Sequence, residues 1–166
     1  MKKRIKPGPG QESVWDYPRP PRLERTSKHV KVYWQDRLIA STNQAFRILE
    51  TSHPPVYYIP PTDIVKQFIQ PAAGMKTFCE WKGSASYWNI IDEHGQVVSK
   101  AAAWSYSSPQ GRYAEIEDYL AFYPSRITAC FVNDEQVQAQ AGDFYGGWIT
   151  ADIVGPFKGE PGTWGW

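Results

Sequence analysis

Aromatic side chains are the feature that most constrains this fold. The chain of 166 residues carries 8 tryptophans, 10 tyrosines and 7 phenylalanines. Flat rings suit a pleated, half-buried surface, so aromatic residues favour strands over helices. The same rings can also stack on ligands. The composition therefore predicts one domain with an aromatic-rich β core, and it leaves open a binding site lined by rings.

Charge and cysteine content narrow the classes of function. The net charge is +1, which gives no bulk electrostatic case for nucleic acid or an anionic membrane. No stretch approaches the roughly 20 apolar residues of a membrane span. The basic start leads into Pro7 and Pro9 rather than the apolar run of a signal peptide. We expect a cytoplasmic protein that needs no cofactor; the sequence leaves its oligomeric state open.

The pattern along the chain predicts three parts. Residues 1–22 are rich in proline and basic residues, which favour an extended arm. Residues 23–142 form the β domain. Residues 143–166 alternate aromatic residues with glycine and proline, and they are expected to wrap the domain as a collar.

Alternating apolar residues predict a series of antiparallel strands within the domain. Turns are expected at Asp36–Arg37 and Asn133–Asp134. One short helix is predicted, capped by Thr62 and ended by Pro71. The predicted strands cover residues 29–35, 38–40, 56–59, 77–81, 85–91, 97–106, 119–123 and 127–132, and residues 43–51 are strand-like or irregular.

Several sequence runs, in the same order, resemble a small bacterial family catalogued as domain of unknown function 427. The resemblance spans roughly residues 15–166. It implies a β-tent fold, in which antiparallel sheets meet at an angle, similar to methionine sulfoxide reductase B and the Rab-binding exchange chaperone. The runs are ETSHPPVYYIPPTDI, CEWKGSASYWNI, AAAWSY and DYLAFYPSRI, followed by FYGGWIT, IVGPFKG and PGTWGW.

The resemblance has limits that bear on function. Zinc-bearing β-tents use two CxxC pairs, and this chain has none, so a metal-free version is implied. The reductase's catalytic cysteine has no counterpart that can be aligned. A catalogue label of nucleotidyltransferase is attached to the family, but the Gly-Ser followed by paired aspartates that such enzymes use is not visible. The predicted fold class is therefore mainly β, a metal-free β-tent-like arrangement with one short helix.

The leading hypothesis is a small-ligand site with aromatic walls and a few polar groups. A β-tent relative of the cereblon type has a tryptophan cage, so the resemblance implies a similar cage here. Lys82 would anchor an anion and Glu50 would supply a carboxylate; the alternative is that the rings only fill the core. The remaining predicted ligand-binding residues are Tyr57, Tyr58, Tyr87, Trp104 and Tyr106.

A second hypothesis is an enzyme. An ammonium group near Cys79 would favour its reactive thiolate, although strand alternation places Lys82 and Glu80 on the face opposite Cys79. Glu50, with His53 and Asp63, could supply acid–base chemistry. The alternatives are a buried inert thiol, a surface histidine and ordinary hydrogen-bonding carboxylates. Whether Cys79 and Cys130 approach each other is not decided by the sequence.

A third hypothesis is a protein-interaction module. Its basic arm, with Trp15 and Tyr17, and its aromatic tail would contact a partner. The alternative is a solvated arm that only aids solubility. The glycine-rich patches at 145–147 and 155–159 match no phosphate-loop spacing and predict tight turns.

Overall fold

Strands dominate the computed structural model, which describes residues 3–79, 82–142 and 144–166. The helical segments in these residues are 3-10 turns: Val14–Asp16, Pro61–Asp63, Lys66–Phe68, Gly111–Ile116 and Pro124–Arg126. The strands are β1 (Glu12–Ser13), β2 (Arg22–Arg25), β3 (Val30–Trp34), β4 (Arg37–Thr42), β5 (Phe46–Leu49), β6 (Val56–Tyr58), β7 (Ile69–Cys79), β8 (Gly83–Ile91), β9 (Val97–Tyr106), β10 (Ala121–Phe122), β11 (Ala129–Val132), β12 (Glu135–Gln136), β13 (Gln138–Ala139), β14 (Trp148–Ile149) and β15 (Ile153–Val154).

Antiparallel sheets organise the chain, which confirms the mainly β prediction. Two four-stranded sheets have the orders β10-β9-β8-β7 and β12-β11-β3-β4, and a third has the order β2-β5-β6. Two short pairs complete the set: β13 with β14, and β1 with β15, which run parallel. Within the described residues, no helix is long and apolar enough to cross a bilayer.

The predicted turns join neighbouring strands. β3 and β4 form the expected hairpin, and its turn occupies residues 35–36, one position earlier than predicted. Asn133 and Asp134 both have positive φ, at 47° and 67°, as a two-residue type I′ turn requires. They connect β11 to β12 where the sequence predicts a turn.

The predicted helix from Thr62 to Pro71 is wrong. Two 3-10 turns separated by extended backbone occupy this segment, and β7 already begins at Ile69. A long-range contact explains the difference, since Ile64 forms a β-bridge with Ala40 and the Val65 N–H donates to the carbonyl of Ile39 at 2.8 Å. Local helix propensity is overridden where a sheet edge recruits the backbone.

The core consists of two main apolar clusters that meet at β6. Successive strand residues point to opposite faces, so Tyr57 enters one cluster and Tyr58 the other. Trp148, from the C-terminal tail (residues 143–166, the predicted collar), is fully buried beside Tyr57. Trp104 lies in the cluster of Tyr58. The C-terminal tail thus contributes to the main core as well as to the surface.

The N-terminal arm packs against the C-terminal tail. Val14 and Tyr17 are buried, and they form a third apolar cluster with residues of β5 and β15. The Trp15 ring meets the Trp166 ring edge-on at 5.2 Å between centroids. Nε1 of Trp15 donates a 2.9 Å hydrogen bond to the carbonyl of Pro156. The division into arm, domain and collar stays a prediction.

A buried guanidinium fastens this arm to the sheet. Arg47 on β5 lies 2.7 Å from a Glu24 oxygen and 3.4 Å from Glu12, and the Tyr17 hydroxyl donates to Glu12 at 2.5 Å. Burial works against the charge, but the hydrogen bond to Glu24 and the charge of Glu12 hold the pKa of Arg47 above its ordinary value. Because it stays charged, Arg47 links the arm to two strands.

Trp148→Phe tests the contribution of the tail to the core. The Trp148 indole Nε1 donates to the carbonyl of Phe122 at 3.0 Å, and its ring lies 4.9 Å from that of Tyr57. Losing ring volume and leaving that carbonyl unpaired should lower the free energy of unfolding by about 2–3 kcal/mol in urea titration. The matched control, Trp164→Phe, alters a ring that is 63% exposed and should change it by less than about 0.5 kcal/mol. Equal losses in both variants would contradict this assignment.

Candidate functional site

A cavity of about 750 Å³ opens between the β7–β8 hairpin, β9 and the C-terminal tail. The hairpin supplies Lys76 and Lys82, and the tail supplies Tyr145 and Lys158. This volume lies in the range of sites that hold small molecules. The cavity is therefore the candidate functional site.

The cavity collects most of the residues that the sequence predicts as ligand-binding. Tyr57 is the exception: it is predicted to line the cavity, but it does not. It faces the opposite cluster against Trp148, because its neighbour on β6, Tyr58, points toward the cavity. The predicted residues that line the cavity are Glu50, Tyr58, Lys82, Tyr87, Trp104 and Tyr106.

Packed rings form one wall of the cavity. The Trp104 ring centroid lies 4.5 Å from that of Tyr123 and 6.2 Å from that of Tyr58, with Tyr106 at 6.4 Å from Tyr58. The Trp104 Nε1 donates to the Tyr58 hydroxyl at 3.3 Å. Burial raises the pKa of Tyr58, so its hydroxyl stays protonated at neutral pH. The rings of this wall carry no charge at neutral pH, and the guanidinium of Arg126 lies 4.1 Å from the ring centroid of Tyr123.

Gly146 allows the tail to approach this wall. A Cβ atom at this position would lie 2.2 Å from the Trp104 ring, which is closer than side-chain carbons come in proteins. The absent side chain therefore lets the backbone lie directly on the indole. This contact brings Tyr145, the preceding residue, to the rim of the cavity.

A neutral histidine lies at the base of the cavity. Gln140 accepts from the Gly147 N–H through Oε1, so its Nε2 donates, to the carbonyl of Lys158 at 2.7 Å and to Nδ1 of His53 at 3.2 Å. The hydrogen of neutral His53 is thereby assigned to Nε2, which lies 3.8 Å from the Glu50 carboxylate. His53 is thus a hydrogen-bond donor whose other nitrogen is occupied.

Burial and neighbouring cations keep His53 neutral. Burial is the largest cause, followed by the charges of Lys158, Arg19 and Lys82, and together they lower the pKa of His53 to about 3. At neutral pH its contact with Glu50 is therefore not an ion pair.

Two ammonium groups approach from different walls. Nζ of Lys82 lies 5.8 Å from the Tyr106 ring centroid, and Nζ of Lys158 lies 5.6 Å from that of Tyr145. Nζ of Lys158 donates to the main-chain oxygen of Trp166 at 3.4 Å, and within the described ranges neither ammonium group has an ion pair with an aspartate or glutamate side chain. Glu50 already has a cation, since Nε of Arg19 lies 3.4 Å from its carboxylate. The arrangement favours an added negative charge.

The catalytic candidates are only partly brought together. Cys79 lines the cavity with Lys82 and Glu50, and Glu50 lies beside His53. Asp63 is not among the lining residues, and it instead accepts a 2.6 Å hydrogen bond from Thr42.

Glu80 and the two cysteines complete the set of reactive side chains that the sequence analysis considers. Glu80, predicted opposite Cys79, lies outside the described residues. Cys79 and Cys130 are both free thiols, and no group of metal-ligating side chains is found in the part of the chain that the structure describes.

Sequence reasoning misses the residues that the tail contributes. Tyr145, Gly146 and Lys158 lie in glycine-rich patches that predict only tight turns, and Gln140 lies in none of the runs singled out above, yet all four line the cavity. His53 is expected at the surface, but it is only 8% exposed. The two prolines that follow it are also buried, which indicates that this loop lies inside the protein.

The low pKa of His53 makes stability depend on pH. In the unfolded chain the imidazole takes up a proton below about pH 6.5, whereas in the folded protein it stays neutral down to about pH 3. Protonation therefore favours unfolding, and this contribution should cost about 2–3 kcal/mol between pH 7 and pH 4.5.

Urea titrations of the wild type and His53→Gln at both pH values measure this contribution. On acidification, the free energy of unfolding of the variant should fall by about 2–3 kcal/mol less than that of the wild type. The two proteins contain the same carboxylates, so the difference between them reports His53 alone. Parallel losses in the two proteins would show that His53 titrates normally.

Comparison with known proteins agrees with the resemblance described above. A family model described as domain of unknown function DUF427 matches residues 22–133. No curated protein matches the chain. The match covers more than half of the 166 residues and includes β2 to β11 with both tyrosines of β6. The chain therefore belongs to the DUF427 family.

Proposed function

We propose that this protein binds a small organic anion in the aromatic cavity. The observation that carries the proposal is the pair of ammonium groups, on Lys82 and Lys158, that face the same hollow without an aspartate or glutamate partner in the described ranges. Lys158 Nζ already donates to the main-chain oxygen of Trp166 at 3.4 Å, and a ligand carboxylate or phosphate would add a charged acceptor for both ammonium groups.

The charge balance of the cavity supports an anion rather than a cation. Lys76, Lys82 and Lys158 line it, and Glu50, its described acidic side chain, contacts Arg19. Gln140 Nε2 donates both to His53 and to the carbonyl of Lys158, and the charges of Lys158 and Lys82 contribute to the low pKa of His53, which supports a shared anion site. The Nε2 hydrogen of His53 would then donate to a ligand oxygen.

The aromatic wall would hold the uncharged part of the ligand. Tyr58 and Trp104 are buried and packed against their neighbours, so they form a preordered backing to the cavity rather than a face that a ligand stacks on. Tyr87 is fixed by a 2.8 Å hydrogen bond between its hydroxyl and Thr77. A planar group is well suited to stack on the partly exposed ring of Tyr87.

An enzyme that uses the same cavity is a second candidate. Cys79 and Lys82 line one cavity, so a thiol, an ammonium group and the Glu50 carboxylate would face one bound molecule. A role as a partner-binding module is less well supported, because the arm residues Val14 and Tyr17 are buried within the chain. Ligand binding is required by the first two hypotheses alike.

Charge-removing substitutions test the anion site. Benzoate and phenyl phosphate should raise the unfolding temperature of the wild type, and neutral benzamide of the same shape should not. At a hundred times the dissociation constant, the added stability is about 2.7 kcal/mol. Lys82→Met and Lys158→Met should each abolish the response, whereas Lys66→Met, at an exposed position outside the cavity, should retain it. A benzamide response equal to that of benzoate, or an unchanged response in both cavity variants, would refute the proposal.

Thiol labelling gives an independent measure of occupancy. Cys79 is partly exposed at the cavity, whereas Cys130 is buried and burial raises the pKa of its thiol. Iodoacetamide should therefore label the native protein once, at Cys79, and saturating benzoate should slow that labelling several-fold. Mass spectrometry of Cys79→Ser should show no label. Labelling at an unchanged rate with ligand present would place the ligand elsewhere.

A further inference from the structure

The mouth of the cavity carries two unusually exposed rings. Phe78 is 77% exposed and Phe144 is 71% exposed, the highest values among the large hydrophobic residues of the described chain. Both of them line the cavity. Single exposed apolar residues are common on protein surfaces, but two that flank one opening mark a surface that a ligand could cover.

The two rings belong to different walls. Phe78 lies near the tip of the β7–β8 hairpin, opposite Ser84 in the strand register. Phe144 lies in the tail, edge-on to Tyr145 with 5.0 Å between ring centroids. A ligand between the hairpin and the tail would therefore contact both phenylalanines.

The charged groups are less exposed than these rings. Lys82 and Lys158 are partly buried, and His53, which responds to both charges, is almost wholly buried. A negatively charged group must therefore enter the cavity to reach them, while the apolar rings remain at the opening. This polarity, cationic inside and apolar at the mouth, sets the orientation of a ligand.

We infer that the ligand is an amphipathic organic anion. Its carboxylate or phosphate binds at Lys82 and Lys158, and its apolar chain leaves the cavity between Phe78 and Phe144. The inference rests on the proposed function and adds the class of ligand. A flat membrane surface fits less well, because its head groups would have to leave the bilayer plane to reach the partly buried ammonium groups.

A series of linear carboxylates tests the inference. Isothermal titration with butanoate, hexanoate, octanoate and decanoate, each below its micelle concentration, should show affinity that rises with each methylene. The upper limit is about fourfold per methylene, from the transfer free energy of a buried methylene. Octyl phosphate in parallel distinguishes the two head groups.

The double variant Phe78→Ser with Phe144→Ser isolates the rings. It should flatten the dependence on chain length while it leaves butanoate affinity within about twofold, because the cation–π contacts of the two ammonium groups are with Tyr106 and Tyr145 and not with either phenylalanine. Since both rings are exposed, the unfolding midpoint should hardly move, which shows that the variant folds. Trp164→Ser, which removes an exposed ring outside the cavity, should keep the full dependence.

The possible failures are distinguishable. Lys82-dependent binding of butanoate with no gain from a longer chain would overturn the inference and leave the proposed function standing. A chain-length dependence that the double variant retains would also overturn it. No Lys82-dependent binding of any member would refute the proposed function itself. Co-sedimentation with phosphatidylglycerol vesicles that requires both phenylalanines, without binding of soluble octanoate, would assign the rings to a membrane surface instead.

Discussion

Burial of Trp148 is the interaction on which the site depends. Its indole contacts Tyr57 and donates to the carbonyl of Phe122, and its backbone N–H donates to the carbonyl of Pro55 at 2.8 Å. These contacts fix the tail against β6 and β10. The residues just before Trp148 are thereby held on Trp104, where the absent side chain of Gly146 permits close contact. The burial of Trp148 therefore positions the part of the tail that lines the cavity.

The electrostatics of the cavity depend on a single amide. Gln140 is buried and uses both ends of its side chain, so the orientation of His53 and the backbone of Lys158 are set together. A neutral imidazole between cations keeps the potential positive without adding a charge of its own. The proposed anion site therefore gains no charge from His53 at neutral pH.

Much of the fold is predictable from the sequence because its strands have clear local patterns. Alternation in β3, β8 and β9 and the Asn133–Asp134 turn reflect local geometry, and the structure confirms them. The helix at Thr62 fails because its decisive contact, the bridge from Ile64 to Ala40, is far away in sequence. Periodicity reports which face a residue occupies but cannot report which distant edge will recruit it.

The site residues are likewise predictable only where a local sequence pattern determines their position. Tyr58, Lys82, Trp104 and Tyr106 could be chosen from the sequence because they cluster in short aromatic runs on neighbouring strands. Tyr57 could not be separated from Tyr58, since the choice between the two faces of β6 depends on Trp148. The contributions of residues 140–158 depend on how the tail returns, which no local pattern encodes.

The pairing of β1 with β15 has a consequence for how the protein is made. The Trp15 indole reaches the carbonyl of Pro156, 141 positions later, and several arm contacts have similar separations. Such distant pairings are slow to form. During synthesis, residues 140–158 must emerge from the ribosome before the cavity can close. The main sheets can therefore assemble while translation continues, whereas the cavity walls are complete only after residues 140–158 have emerged.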